Sequence, residues 1–290
     1  MEYVEHILVI VGIYIVLAVS LDLLVGQTGL LSIAQAAFYG LGAYTSALLA
    51  VHFGCSFVVG TLAGMGVAAA ISFVVSLPTA RLHDDYFVIA SFGFQMILFA
   101  TLNNWMALTR GPLGIPGIPE PAIFGLQIRS YAGFVLLAAV FAAFAVFIVR
   151  CLSVSPLGRV LRAIREDESF VQALGKNPLR FKITAFAISA ALAASAGSLY
   201  AHYVSYIAPT SFTVLDSILV ISMVIIGGSG SFAGPIVGAL VLVLLPEALR
   251  FLGLPSAAAA NLRQIIYGTS LVAMMMVRPR GLMGKYGFGR

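Results

Sequence analysis

Charged residues are scarce in this chain of 290 residues: 9% are Asp, Glu, Lys or Arg, whereas 61% are apolar. A soluble domain normally carries about 25% charged residues, so a water-exposed surface over the whole chain is excluded. The apolar runs also lack the alternation of apolar and polar residues that transmembrane β-strands require. The mean hydropathy of +1.04 therefore indicates a polytopic helical membrane protein.

Motifs for catalysis and metal binding are lacking as well. The two cysteines, Cys55 and Cys151, lie in separate regions and indicate neither a disulfide framework nor a metal site. The histidines form no H-E-x-x-H, and GLMGK at 281–285 has the wrong spacing for a phosphate loop. No basic stripe is interleaved with aromatic residues, so nucleic acid is not an expected partner. We expect neither enzyme activity nor a metal or cofactor in this chain.

Long apolar runs dominate the sequence instead. A membrane-spanning helix needs about 20 apolar residues, and runs of this order predict nine spans, with eight to ten allowed by the breaks between them. The nine are 7–25, 31–51, 56–80, 86–102, 131–149, 181–204, 209–226, 232–250 and 261–277. The predicted fold is an all-α, polytopic transmembrane helical bundle. We expect one domain over 1–290, with a cytoplasmic loop at about 150–182 and an outer loop at about 103–130.

The basic residues are unevenly divided between the predicted loops. If 150–182 is cytoplasmic, the inner loops hold every Lys and Arg except Arg110, Arg129, Arg250 and Arg263. Because cytoplasmic loops are enriched in Lys and Arg, this predicts an outer N-terminus and a cytoplasmic C-terminus. The acidic start MEYVEH is unlike a cleaved signal peptide, so we expect the first span to be retained.

Charge is concentrated in RAIREDESFVQALGKNPLRFK, residues 162–182. Helical periodicity places Val160, Leu161, Ile164, Val171 and Leu174 on one side of a helix that Asp167 interrupts, with Arg162 and Arg165 on the other side. Gly175 is the predicted helix C-cap, and Asn177-Pro178 prevents continuation. Two roles stay open for this short cytoplasmic helix. It is either an anchor that rests on lipid through its apolar side and holds anionic lipid through its arginines, or a helix that a soluble partner receives in a groove.

Glycines break the apolar runs at two places. Gly26 and Gly29 lie where the first span must end, and Gln35 and Tyr39 follow on the next helix. The second break contains Gly227, Gly228, Ser229 and Gly230. Broken helices at membrane depth are tolerated only where protein or water covers the backbone, so all eight residues are candidates for a translocation pathway. The alternative is that the glycines only turn the chain tightly between spans. For residues 227–231, a tight cytoplasmic turn and a break within the bilayer both stay open. The likeness of the two breaks hints at an internal repeat.

Few acidic residues fall within the predicted spans. Asp22 either reaches the cytoplasmic interface or has a buried functional role. Asp216, three residues after Thr213, fits an N-capping pair, and Glu247 is expected to pair with Arg250. Such a small set disfavours a self-contained secondary transporter or channel, which would need ionisable groups for coupling.

Five sequence blocks occur in a familiar order. They are GQTGLLSIAQAAFYGLGAYTSALL (26–49), LTRGPLGIPGIP (108–119), RAIREDESFVQALGKNPLRFKITAFAISAALAASAGSLYA (162–201), SFTVLDSILVISMVIIGGSGSFAGPIVGALVLVLLPE (211–247) and RQIIYGTSLVAMMMVRPRGLMG (263–284). From about residue 20 to its end, the chain resembles the branched-chain amino-acid ABC transporter permease family, LivM type. The resemblance implies an inner-membrane subunit of an ATP-driven bacterial importer.

The resemblance also implies partners. They are a second, LivH-like permease, two cytoplasmic ATPase subunits that bind ATP and Mg, a periplasmic substrate-binding protein and the surrounding membrane lipid. The implied substrates are branched-chain amino acids or similar small polar or zwitterionic solutes. Urea, short amides and other amino acids stay open, as does the choice between a homodimeric and a heterodimeric permease pair.

Two sets of contact residues follow from the resemblance. The segment Glu166–Asn177 is the implied coupling helix, with Glu166, Glu168, Gln172, Ala173, Leu174, Gly175 and Asn177 as the contacts to the ATPases. The importer signature Glu-Ala-Ala is met only loosely, because Ser169 and Phe170 follow Glu168. In the outer loop, the family pattern T-x-G-x-x-G-I-x-G-I-P is matched, and Arg110 departs from it. The expected contacts to the binding protein are Thr109, Arg110, Gly111, Gly114 and Gly117; alternatively, this loop gates the outer mouth or only caps the bundle.

Overall fold

Helices make up nearly all of the described chain. The computed structural model describes residues 2–79, 84–123, 126–250, 265–266, 268–269, 271–274, 276, 278 and 281–284. The helices are α1 (Glu2–Thr28), α2 (Gln35–Phe53), α3 (Phe57–Thr79), α4 (Asp84–Asn104), α5 (Met106–Thr109), α6 (Tyr131–Val154), α7 (Pro156–Glu166), α8 (Glu168–Ala173), α9 (Pro178–Val204), α10 (Val214–Gly227) and α11 (Ala233–Arg250). Single 3-10 turns cover Gly111–Leu113 and Pro209–Ser211. Four short strands, β1 (Ile115–Pro116), β2 (Ala122–Ile123), β3 (Leu126–Gln127) and β4 (Tyr206–Ile207), form two small antiparallel pairs, β1 with β4 and β2 with β3.

Within the residues that the structure describes, seven helical stretches are long and apolar enough to cross a membrane. They are Glu2–Thr28, Gln35–Phe53, Phe57–Thr79, Tyr86–Asn104, Tyr131–Val154, Pro178–Val204 and Pro209–Gly227, and a shorter apolar helix covers Ala233–Glu247. These stretches coincide with the first eight predicted spans. The ninth, 261–277, lies partly outside the described residues, and those of its residues that are described are helical. The predicted all-α polytopic bundle is therefore confirmed.

Contacts at the two ends of α1 show which neighbouring elements lie at each end of the bundle. At its C-terminal end, Arg165 of α7 donates a hydrogen bond to the carbonyl of Gly26, and we call this end of the bundle the α7 end. At the opposite end, the Tyr3 hydroxyl donates to the Glu247 carboxylate near the end of α11. The backbone N–H of Leu282 donates to the carbonyl of Ile226 at 2.9 Å, which places 281–284 at the α7 end.

Helix α9 packs on its small residues against α2 and α3. A Cβ atom added at Gly197 would lie 1.9 Å from the carbonyl oxygen of Tyr39, and one at Gly42 would lie 2.1 Å from that of Ala194. Close approach between small residues is a common way for helices to associate in membranes, where dispersion contacts replace the hydrophobic effect. Helices α2 and α9 therefore cross with their backbones in contact.

Helix α2 begins inside the bundle. The Nε2 atom of Gln35, its first residue, donates to Ser20 Oγ at 2.6 Å, and Ser20 lies about 12 Å along α1 from the end at Thr28. Residues 29–34 therefore return into the bundle as non-helical chain. Protein groups cover this backbone: the Ile33 N–H donates to Ser91 Oγ of α4 at 3.0 Å, and the Ala36 N–H donates to Ser217 Oγ of α10 at 2.9 Å.

Helix α10 also begins inside the bundle. Its 14 residues rise about 21 Å, which is less than the roughly 30 Å of a hydrocarbon core. At its start, Asp216 Oδ2 accepts hydrogen bonds from the Thr213 N–H at 2.8 Å and the Thr213 hydroxyl at 2.7 Å. The predicted capping pair is confirmed, and it occurs near the middle of the bundle.

Helices α10 and α11 form an antiparallel hairpin. Residues 228–232 join them at the α7 end, so this glycine break is a turn between two helices. Next to the turn, an added Cβ at Gly227 would lie 1.9 Å from the carbonyl oxygen of Gly234, and one at Gly238 would lie 1.8 Å from that of Met223. The two helices are in backbone contact at the α7 end.

Candidate functional site

The charged segment forms two helices. Ser155 Oγ accepts from the Gly158 N–H at 3.4 Å and caps α7, which opens with Pro156. Asp167 then adopts an extended conformation, and its Oδ1 accepts from the N–H groups of Ser169 and Phe170 at 2.8 and 3.1 Å. The prediction of one helix interrupted at Asp167 is corrected: Asp167 ends α7 and caps α8, because its short carboxylate pairs better with free N–H groups at a helix start than within a helix.

Gly175 ends α8, as predicted. It has a φ of +74°, and its N–H donates to the Gln172 carbonyl at 2.9 Å while the Lys176 N–H donates to that of Val171 at 3.3 Å. This pair of bonds is the Schellman motif, which requires a left-handed residue at the glycine position. Asn177 Oδ1 accepts from the Leu179 N–H at 3.1 Å and starts α9.

The predicted coupling residues differ in exposure. Glu166, Gln172, Ala173, Leu174, Gly175 and Asn177 are exposed, and Glu168 is half-buried. Glu168 Oε2 accepts from Nζ of the buried Lys182 at 2.6 Å, which ties α8 to α9. Leu174, placed on the packed stripe by its periodicity, is instead 63% exposed because the chain turns at the cap; together with Phe170, 59% exposed, it forms an apolar pair on α8.

Helix α7 is bound to the end of α1. Val160, Leu161 and Ile164 are buried. Arg165 Nη1 donates to the carbonyls of Gly26 and Val25 at 2.5 and 3.3 Å, and Arg162 Nη1 donates to Gln27 Oε1 at 3.2 Å. Because the last carbonyls of a helix lack internal partners and carry partial negative charge, the two arginines satisfy the end of α1. These contacts give both arginines partners within the protein, and the anchor to anionic lipid stays one of the two open alternatives for this segment.

The two glycine breaks meet in space. Asp22 Oδ1 accepts from the Gly230 N–H at 2.9 Å, and a Cβ atom added at Gly26 would lie 2.6 Å from the Gly230 nitrogen. Gly29 has a φ of +79° and lies against Arg165, and Gly281 approaches Gly228. Asp22 is buried, 3% exposed, and holds the α10–α11 turn against α1.

The other pathway candidates are Gln35 and Tyr39, which lie deeper in the bundle, and Ser229, which lies in the α10–α11 turn. Gln35 is buried and bonded to Ser20, and Tyr39 packs against Tyr200 and Phe212 with ring centroids 5.5 and 5.0 Å apart. The Ser229 hydroxyl is buried and has no hydrogen-bond partner among the described residues. The pathway role of these positions stays a prediction, and the contacts give most of them a packing role.

The outer-loop residues are held by backbone contacts. Thr109 Oγ1 donates to the Leu102 carbonyl at 2.6 Å, and Arg110, exposed, has a φ of 59°. Gly111, Gly114 and Gly117 also have positive φ. A Cβ atom at Gly114 would lie 2.3 Å from the Ile207 carbonyl oxygen, at the pairing of β1 with β4. The loop is therefore a fixed cover over the end of α9.

A buried hydrogen-bond chain under this loop was missed by sequence reasoning. Nδ1 of His202 donates to the Pro119 carbonyl at 2.7 Å, and its Nε2 is bonded to Ser46 Oγ at 2.9 Å. Ser198 Oγ donates to Ser46 Oγ at 2.8 Å and is bonded to Thr61 Oγ1 at 2.7 Å. Scattered Ser and Thr residues in apolar runs carry no signal of such a chain, because their partners lie on other helices.

Comparison with known proteins identifies relatives of the whole chain. The family model described as "Branched-chain amino acid transport system / permease component" matches residues 3–275. The chain is 36% identical to the high-affinity branched-chain amino acid transport system permease protein LivM of Salmonella typhimurium, over 93% of this chain and 68% of that protein. It is 29% identical to a probable LivM of Methanocaldococcus jannaschii over 97% and 93%, and 24% identical to LivH of Salmonella typhimurium over 94% and 91%. No solved structure matches.

The contact between α7 and α1 predicts unequal effects for two arginines on the same helix. Arg165→Gln should lower the free energy of unfolding by about 1.5–3 kcal/mol, because charged hydrogen bonds to the α1 carbonyls are lost. Arg159→Gln removes the same charge from an exposed position and should change little. The measurement is thermal unfolding of the purified chain in detergent micelles. Equal losses in both variants would contradict the α1 contact and support an anchor to anionic lipid.

Proposed function

The chain belongs to the family of branched-chain amino acid transport system permease components, and from this membership we propose that it forms half of the translocation pathway of an ATP-driven importer. In this proposal a LivH-like permease supplies the other half. Two cytoplasmic ATPase subunits bind and hydrolyse ATP, and a periplasmic binding protein delivers the solute. The chain itself is a multi-pass membrane protein that carries no motor.

The apolar pair on α8 is the observation that carries this proposal. Phe170 and Leu174 are exposed beyond the ends of the membrane-spanning helices, where water would otherwise meet them. The short helix that bears them is fastened on both sides, by the Glu168–Lys182 ion pair and by the caps at Asp167 and Gly175. A rigid helix that presents apolar side chains is suited to a groove on a partner protein.

The substrate class follows from the relatives. LivM and LivH are named for branched-chain amino acid transport, and we propose the same class of small zwitterionic solutes for this chain. Urea, short amides and other amino acids are the alternatives within the family. Competition for uptake of labelled leucine distinguishes them, since a solute that shares the pathway reduces leucine uptake and one that does not leaves it unchanged.

The orientation is proposed from charge. Arg159, Arg162, Arg165, Lys176 and Arg180 all belong to the segment at the α7 end, which supports a cytoplasmic α7 end, an outer N-terminus and a location in the bacterial inner membrane. After replacement of Cys55 and Cys151, Ser169→Cys should react with an impermeant thiol reagent only from the cytoplasmic side. Pro112→Cys should react only from outside. Labelling of both positions from one side would reverse this assignment.

Reconstitution tests the importer proposal. Proteoliposomes that contain this chain with the second permease and the ATPases should concentrate leucine only when ATP is inside and loaded binding protein is outside. The chain alone, given a proton or sodium gradient, should not concentrate leucine. Concentrative uptake by the chain alone would contradict the proposal and identify a secondary transporter.

The cap of α8 should control coupling. Gly175→Val places a β-branched residue at positive φ, at a cost of about 1 kcal/mol or more, and should re-aim α8. ATP hydrolysis stimulated by binding protein should fall together with uptake. Gly175→Asn is the matched control, because asparagine tolerates this conformation and the position is open, with nothing within 4 Å of an added Cβ. Unchanged stimulation in Gly175→Val, measured in the purified complex, would contradict the coupling role of α8.

A further inference from the structure

A groove of about 550 Å³ lies between α1, α10, α11 and the helical residues Gly268 and Leu271. Ile10 and Tyr14 of α1, Asp216 and Leu219 of α10, and Val243 and Glu247 of α11 line it. Small-molecule sites typically occupy about 300–1,000 Å³ and combine apolar walls with a few polar groups. None of the pathway positions predicted from the sequence lines this groove.

The groove is closed at the α7 end. Helices α10 and α11 are in backbone contact at Met223 and Gly238 and again at Gly227 and Gly234. Immediately beyond this contact, Ser222 and Leu242 become part of the groove wall. From there the lining residues continue towards Pro246 and Glu247, near the opposite end of the bundle. The groove is therefore a blind cleft in the half of the bundle that lies away from α7.

A carboxylate lies partway down this cleft. Asp216 lies about 16 Å along α10 from Gly227, near the middle of the bundle. Among the residues that the structure describes, no cationic side chain forms an ion pair with it. Ionisable residues at membrane depth are costly and mark substrate or ion pathways, and the capping bonds from Thr213 leave the charge of Asp216 without a counter-ion.

Tyr14 shares the cleft with Asp216. Tyr14 of α1 lines the same groove as Asp216 of α10. A tyrosine hydroxyl can both donate and accept a hydrogen bond, and an ammonium group supplies three donors. A carboxylate with a phenolic oxygen in the same cleft is a suitable set for an ammonium group, and its negative charge disfavours an anion.

Most of the other lining residues of the cleft are aliphatic; the polar exceptions include Ser222 and Glu247, whose carboxylate accepts a hydrogen bond from Tyr3. Ile10, Leu219 and Val243 lie on three different helices around Asp216. Burial of an aliphatic side chain against such walls gains roughly 1.5–3 kcal/mol. A solute with an ammonium group at one end and a branched hydrocarbon at the other fits both parts of the cleft.

We infer that this cleft is the substrate-contacting wall of the permease, in which Asp216 binds the ammonium group of an aliphatic amino acid and the surrounding aliphatic residues hold its side chain. The inference rests on the proposed function and assigns a substrate contact within it. The cleft lies in the half of the bundle away from α7, which is the side from which a binding protein would deliver the solute.

Protection of a cysteine in the cleft tests this assignment. In the complete complex, with Cys55 and Cys151 replaced, a Leu219→Cys variant is modified with methyl methanethiosulfonate and followed by mass spectrometry. Leucine and 3-methylbutylamine, which keep the ammonium group, should slow modification about tenfold at about ten times their apparent Kd. 4-Methylpentanoate, which lacks the ammonium group, should not protect.

Two variants separate the charge of Asp216 from its capping role. Asp216→Asn keeps an oxygen for the Thr213 N–H but removes the charge, and it should raise the apparent Kd for leucine about tenfold or more, the factor that corresponds to 1.4 kcal/mol. Thr213→Val removes one capping bond, keeps the carboxylate and should leave the Kd unchanged. A similar rise in both variants would assign Asp216 to helix capping alone and overturn the inference.

The other outcomes are also decisive. Equal protection by 4-methylpentanoate, or unchanged protection in Asp216→Asn, overturns the ammonium site. A cysteine at 219 that no solute protects, because lipid or the second permease covers it, identifies the cleft as a packing surface and overturns the inference as well. If the same complex still takes up leucine with ATP, each of these results overturns the substrate site and leaves the proposed function intact. If the complex without any substitution fails to take up leucine with ATP, that result counts against the proposed function alone.

Discussion

Backbone groups inside a membrane must find their hydrogen-bond partners within the protein, and the rest of this structure depends on how the chain meets that constraint at its breaks. The non-helical return at 29–34 is covered by α4 through Ser91, and the first turn of α2 that follows it is covered by α10 through Ser217. The end of α1 is covered by the guanidinium of Arg165, and the α10–α11 turn by the carboxylate of Asp22. Each break is therefore also a joint between elements that are distant in sequence.

These hydrogen-bonded contacts connect α8, at the surface of the α7 end, with the helices in the interior of the bundle. Helix α8 follows α7 directly and is fixed to α9 by an ion pair. Helix α7 is hydrogen-bonded to the end of α1. The same end of α1 is hydrogen-bonded to the α10–α11 turn. Helices α1, α10 and α11 form the walls of the cleft that contains Asp216. In the proposed importer, a displacement of α8 by an ATPase subunit would reach the cleft through these hydrogen-bonded contacts.

Local chemistry made part of this predictable. Long apolar runs predicted the spans, Gly175 predicted the cap of α8, and Thr213 with Asp216 predicted the start of α10. These predictions were possible because each sequence pattern lies within a few residues of the structural feature that it determines. The prediction that Leu174 lies on the packed side of the helix was wrong, because the helical periodicity was extended beyond Asp167 and Gly175, where the chain changes direction. Arg165, Asp22 and His202 have partners on other helices, and the sequence contains no local sign of them.

The central claim is that α8 and the walls of the cleft move as one coupled unit. Distances between spin labels in the reconstituted complex test it directly, with one pair at Leu215 and Leu244, which flank the cleft and are exposed, and another from Gln172 on α8 to Arg159 on α7. On addition of ATP the account predicts that the distance across the cleft changes while the distance between α8 and α7 stays constant. A cleft of constant width, with α8 moving relative to α7, would contradict it.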